Sequence, residues 1–86
     1  MLRKEVIIEN ELGLHARPAA KLAETAKRYR ARIYLKKGSR KAEAHSILDV
    51  LALACTKGSV VEVIAEGEEA EKALSEIVAL LSSRGA

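Results

Sequence analysis

The apolar positions change their spacing several times along the chain, and each change marks an element. Val6-Ile7-Ile8 reads as a short strand, followed by the polar stretch Glu9-Asn10-Glu11 and by Gly13, which frees the backbone to turn. From Ala16 to about Tyr29, Ala19, Leu22, Ala23, Ala26 and Tyr29 recur at helical spacing, and Pro18 is tolerated in the first turn, where an amide has no partner anyway. Ile33 and Leu35 alternate with polar neighbours, Gly38-Ser39 turns the chain, and Arg40 to Ala44 can return as a weak edge strand. Ser46, with Asp49 three residues on, has the form of a capping box before the apolar run Ile47 to Ala54, and Lys57-Gly58 is expected to end that short helix. Val60 to Glu66 is a further strand that Gly67 breaks. Glu68, Glu69 and Glu71 then place negative charge at the start of a third helix lined by Ala70, Ala73, Leu74, Ile77 and Leu81, with Arg84 and Gly85 closing it.

The resulting order, βαββαβα, suits an α+β fold: a split β-α-β arrangement whose antiparallel sheet is covered by helices on one face. With 86 residues, the expectation is one domain spanning 1–86, since a second core could not bury enough surface to offset its ordering entropy. Tyr29 and Tyr34 are the only aromatics, so the core must be built from Val, Leu, Ile and Ala. Cys55 is the only cysteine; no internal disulfide can form, and a reducing, cytoplasmic setting is the expectation. Charges at Arg3, Lys4, Glu5 and Glu9 leave no apolar core for a signal peptide, and no apolar run is long enough to span a bilayer. The net charge of +3 is modest and favours acidic protein partners only weakly.

The chemistry concentrates at Gly13-Leu14-His15-Ala16-Arg17-Pro18-Ala19. Here an imidazole stands where a helix begins, beside the backbone amides of Ala16 and Arg17. A phosphoryl group on His15 would lie over those amides at the positive end of the helix dipole, and the Arg17 guanidinium could add a charge-assisted contact without being consumed. Neutral imidazole is a good nucleophile near neutral pH, whereas Ser or Thr would need an activating base. Taken alone, a single histidine reads more often as an ordinary loop or cap residue; its flanking residues reverse that preference.

Gly-Leu-His-Ala-Arg-Pro-Ala-Ala, Gly13 to Ala20, resembles the active-site signature of the HPr family, the histidine phosphocarriers of the bacterial phosphoenolpyruvate-dependent phosphotransferase system. The resemblance extends to chain length, element order and a serine before a short apolar helix, matched by Ser46-Ile47-Leu48. It implies an open-faced β-sandwich, with a four-stranded antiparallel sheet covered on one face by three helices. It further implies that enzyme I phosphorylates His15 at Nδ1, that an enzyme IIA domain receives the group, and that the chain is a carrier and not an enzyme. Ser46 corresponds to a serine that an HPr kinase/phosphorylase modifies in many members, while its own spacing from Asp49 supports a plain helix cap. His45 stands where lysine is common in the family, and Asp49 where glycine or lysine is familiar. Ile47, Leu48 and Leu51 have two readings, core or an apolar docking patch rimmed by Arg17 and Lys21; docking is the expectation for Ile47 and Leu48, with one of the three buried.

Other readings find less support. Lys27, Arg28, Arg30 and Arg32 lack the aromatic or glycine motifs of nucleic-acid binders and read as a solvated helix end. His15, His45 and Cys55 do not have a metal-ligand spacing, and neither metal nor cofactor is expected. No nearby Ser or Cys nucleophile and orienting acid complete a hydrolytic set. The alternatives to a carrier are a regulatory HPr-like binding module or a small nucleic-acid-binding domain. The expected protein is a monomer that does not insert into membranes.

Overall fold

The computed structural model describes residues 1–83, so the expected closure of the last helix by Arg84 and Gly85 lies outside the described residues. The elements follow the expected order: β1 (Leu2–Ile7), α1 (Ala16–Arg28), β2 (Arg32–Lys37), β3 (Arg40–Glu43), α2 (Ile47–Ala52), β4 (Val60–Glu66) and α3 (Ala70–Leu81). The four strands form one antiparallel sheet in the order β1-β4-β2-β3. β3 is an edge strand, as its charged sequence implied.

Strand alternation decides which face is roofed. Val6, Ile33, Leu35, Val61, Val63 and Ala65 point toward the helices, where Ala19, Leu22, Val50, Ala73 and Ile77 meet them in a core made almost wholly of aliphatic side chains. The opposite face is open to solvent but not bare. Ile64 lies between its register partners Arg3 and Tyr34 and is buried, and the Lys41 ammonium stands 4.3 Å from the centroid of the Tyr34 ring. Long polar side chains thus cover apolar surface that no helix reaches.

Three boundaries depart from the sequence reading. β1 starts at Leu2 and not Val6, because it pairs with β4 over its full length while its outer residues stay exposed, which leaves no hydrophobic period to read. It also ends before Ile8, although Ile8 remains buried and exchanges backbone bonds with Ser59 and Gly58. α2 ends at Ala52, well before Lys57-Gly58, and the reversal is made at Ala54, which holds φ 53°. The freed carbonyls at that end are taken by cations from the hairpin: Arg40 donates to the Ala52 carbonyl at 2.8 Å, and Lys37 to those of Leu53 and Ala54 at 3.3 and 2.8 Å.

Left-handed backbone is costly for a residue with a Cβ. Ala54→Gly should therefore raise stability by about 0.5–1 kcal/mol, the relief outweighing glycine's greater freedom in the unfolded chain. Urea unfolding checks this, and a loss of stability would mean that Ala54 is not strained.

Candidate functional site

The loop between β1 and α1 is held from several sides. Asn10 is buried; its side-chain Oδ1 accepts the Leu12 amide at 2.9 Å, and its carbonyl accepts the Gly13 amide at 2.9 Å, which folds the chain into an Asx turn. Gly13 adopts φ +70° with its backbone pressed against the chain leaving α2: a Cβ there would collide with the Cys55 carbonyl and lie 2.9 Å from Thr56 Cα. The Leu14 amide donates to that same Cys55 carbonyl at 2.8 Å while the Leu14 side chain enters the core. Glu11 pairs with Lys57 at 2.7 Å, and this bond holds the Glu11 carboxyl below its ordinary value. Burial pushes the Cys55 thiol up, with Lys37 and Arg40 opposing the effect, so Cys55 is a packed residue and not a reactive one.

This fixed loop delivers His15 as the N-cap of α1, with φ −89° and ψ −169°. Its carbonyl accepts the Ala19 amide at 3.0 Å, its own amide donates to Gly13, and its half-exposed ring makes no capping bond. The amides of Ala16 and Arg17 precede the first intrahelical bond, and Pro18 has none to offer. Two free donors and the positive end of a 13-residue helix therefore follow His15 directly in the chain. Arg17 is exposed and has no hydrogen-bond or ion-pair partner among the described residues. Lys21, one helical turn further, extends the same positive face.

Packed alongside α1, α2 presents its first turn to solvent. Ser46 is its N-cap and accepts the Asp49 amide at 3.3 Å, but the reciprocal arm of a capping box is missing: the Ser46 amide is taken by the Glu43 carbonyl at 3.0 Å. Ile47 is 40% and Leu48 79% exposed, as a docking patch requires. None of Ile47, Leu48 and Leu51 is fully buried, contrary to expectation. Val50 and Leu53, three residues apart, fill the inward face, leaving Leu51 half-buried at its margin.

Sequence reasoning missed Asn10, Lys37 and Arg40. Asn10 had a local signal, an Asx residue just before a turn glycine; the two cations act 12 to 17 residues from their own positions and leave none. Within the basic run Arg28 binds Thr25 and Glu76 and Arg30 pairs with Glu68 at 3.7 Å, while Lys27, Arg28, Arg30 and Arg32 all stay exposed, as expected of a solvated helix end. Among the described residues, no three His, Cys, Asp or Glu side chains group as metal ligands, and no helix is long and apolar enough to cross a membrane.

The family described as "PTS HPr component phosphorylation site" matches residues 2–83 of this chain. The chain belongs to the HPr family. It is 37% identical over 84 residues to the phosphocarrier protein HPr of Xylella fastidiosa, covering 98% of this chain and 94% of that one. Against the phosphocarrier protein NPr of Shewanella violacea the identity is 40% over 83 residues, covering 96% and 91%. The crystal structure of an HPr from Thermoanaerobacter tengcongensis superposes with a TM-score of 0.91 at 37% identity, covering 96% of this chain and 93% of that one. The sheet and three helices are thus the HPr fold, and the chain is an HPr-family phosphocarrier, a kind of protein that carries a group and does not itself catalyse turnover.

Proposed function

We propose that this chain receives a phosphoryl group from phospho-enzyme I on Nδ1 of His15 and passes it to an enzyme IIA component. The observation that carries the reading is the half-exposed His15 ring at the start of α1, beside the Ala16 and Arg17 amides. The ring nitrogen's lone pair attacks phosphorus, the bond from phosphorus to the donor breaks, and its electron pair returns to the donor. The two amides and Arg17 hold the phosphoryl oxygens during transfer and leave them unchanged. The acceptor then attacks phosphorus from the same open side and regenerates neutral His15. Incubation with enzyme I and phosphoenolpyruvate should add one acid-labile, base-stable phosphoryl group, read as intact mass before and after mild acid.

Arg17→Ala should unfold at the wild-type temperature and transfer about 10- to 100-fold more slowly, since the side chain is exposed with no hydrogen-bond or ion-pair partner among the described residues and its charge acts on the phosphoryl group in flight. Equal losses in melting and transfer would make Arg17 structural.

Ser46 fits a regulatory phosphorylation by an HPr kinase/phosphorylase. A phosphate there carries roughly two negative charges at a helix start, where free amides and the dipole favour an anion, so folding survives. The same charge borders Ile47 and Leu48 and would repel an acidic partner that covers them. Ser46→Asp should raise the Michaelis constant for transfer from enzyme I about threefold to tenfold, and Ser46→Ala should leave it unchanged. Unchanged kinetics in an intact Ser46→Asp variant would leave Ser46 as a cap alone.

The protein is proposed to work as a cytoplasmic monomer, a state that the charged residues along both edge strands support. Nucleic-acid binding is disfavoured because the basic run lacks the aromatic or glycine motifs of nucleic-acid binders, and two of its cations, Arg28 and Arg30, face Glu76 and Glu68.

A further inference from the structure

The sheet face that no helix covers carries its charges in an ordered pattern. Strand pairing sets its outward side chains in rows across β1, β4, β2 and β3: one row runs Glu5, Glu62, Lys36, Lys41, and the next runs Arg3, Ile64, Tyr34, Glu43. In the first row two acids stand side by side and then two bases. Glu5 therefore directly opposes Glu62, and Lys36 directly opposes Lys41, positions in which like charges weaken a sheet. Arg3 reaches Glu62 at 3.6 Å and the Lys41 ammonium rests on the Tyr34 ring, but Glu5 and Lys36 have no hydrogen-bond or ion-pair partner among the described residues.

We propose that this face takes a second copy of the chain, sheet against sheet, about a two-fold axis that runs along the strands between β4 and β2. Such an axis exchanges β1 with β3 and β4 with β2. It sets Glu5 over Lys41 of the second copy, Glu62 over Lys36 and Arg3 over Glu43, and each pairing occurs twice. One row further, Glu66 and Arg32, register partners on β4 and β2, are paired in the same way. Near the axis Ile64 meets Tyr34. Val60, 52% exposed, meets the turn at Gly38, which offers no side chain and borders a hollow of about 340 Å³. A partner of uniform charge would match only half of the first row, whereas a copy of the same chain matches all of it. Packed sheets cross at about 30°, which displaces the outer strands by about 4 Å, a distance that Arg, Lys and Glu side chains span. The face measures about 20 Å by 20 Å, roughly half the area per side of a standard interface, and exposed ion pairs are weak one by one. The pair therefore forms reversibly at high concentration and low salt, and the monomer prevails otherwise. The contact closes on itself, and α1 and α2 with His15 lie on the far side of the sheet, so the pairing is independent of the transfer reading.

The test is sedimentation equilibrium of wild type, Glu5→Lys, Lys41→Glu and an equimolar mixture of the two variants. The wild-type mass should rise toward twice the monomer value with a dissociation constant of about 0.1–1 mM at low salt, about tenfold weaker at about 0.5 M salt. Each variant alone should stay monomeric, because its pair would set like charges over each other twice. The mixture should associate as wild type does, since Lys at position 5 of one copy then meets Glu at position 41 of the other, although both variants keep a net positive charge. Thermal unfolding is run beside each sample; if Lys41→Glu melts early through loss of the Tyr34 contact, Glu62→Lys and Lys36→Glu provide the same crossed test. A wild type that stays monomeric at low salt overturns the proposal. So does a folded single variant that associates like wild type, or a mixture that fails to recover.

Discussion

His15→Ala is expected to fold like wild type and to take up no phosphoryl group from phospho-enzyme I. The ring makes no capping bond and is half-exposed, so its loss leaves neither a cavity nor an unpaired buried partner. The bonds that hold the loop are backbone bonds of His15, Leu14 and Gly13, and alanine retains them. What disappears is the nucleophile placed at the start of α1, and His45 lies outside α1 with its ring 3.7 Å from the Glu43 carboxylate. The measurements are intact mass after exposure to enzyme I and phosphoenolpyruvate, and thermal unfolding of the same sample. Label retained by a folded His15→Ala protein would sink the site assignment.

Gly13→Ala should be the most damaging small substitution near the site, lowering stability by about 2–4 kcal/mol, which in a domain of this size is about 10–25 °C in Tm. Two effects combine. Alanine resists φ +70°, and its Cβ would meet the Cys55 carbonyl, which is backbone and cannot swing aside. Relief requires the loop to lift, which breaks the Leu14 bond to Cys55 and takes His15 with it. Phosphoryl uptake should fall along with stability. Gly38→Ala is the control: Gly38 has φ +61° but open space around it, so only the conformational strain of about 1 kcal/mol remains. Equal losses in the two variants would show that the close approach to Cys55 contributes nothing.

What could be read from sequence was what local spacing determines. The apolar rows of α1 and α3, the valines of β4 and the placement of His15 at a helix start all depend on neighbours within a turn or two, and all appear as expected. The first two-thirds of β1 was invisible because its side chains are exposed on both faces; its position is set by pairing to a strand nearly sixty residues away. The end of α2 was misplaced because glycine was taken as the stop signal, whereas Ala54 makes the turn and distant cations cap it. Within the site, Arg17 and Lys21 could be placed from helix periodicity, and Ile47 and Leu48 from the surplus of apolar residues on a short helix. Which residue of α2 enters the core was not fixed by that surplus, since Val50, Ile47 and Leu51 are chemically alike and only the approach angle of the helix selects among them.

The clasp of Lys37 and Arg40 on the last carbonyls of α2 has a bearing on how the molecule opens. A helix of six residues is far too short to persist alone in water. Its outgoing end is completed by side chains of a hairpin that precedes it in the chain. Loss of the hairpin leaves the helix uncapped, and loss of the helix leaves two cations without their acceptors. Hairpin and helix are therefore expected to open together, so that amide exchange at β3 and in α2 should rise in parallel in an Arg40→Ala variant.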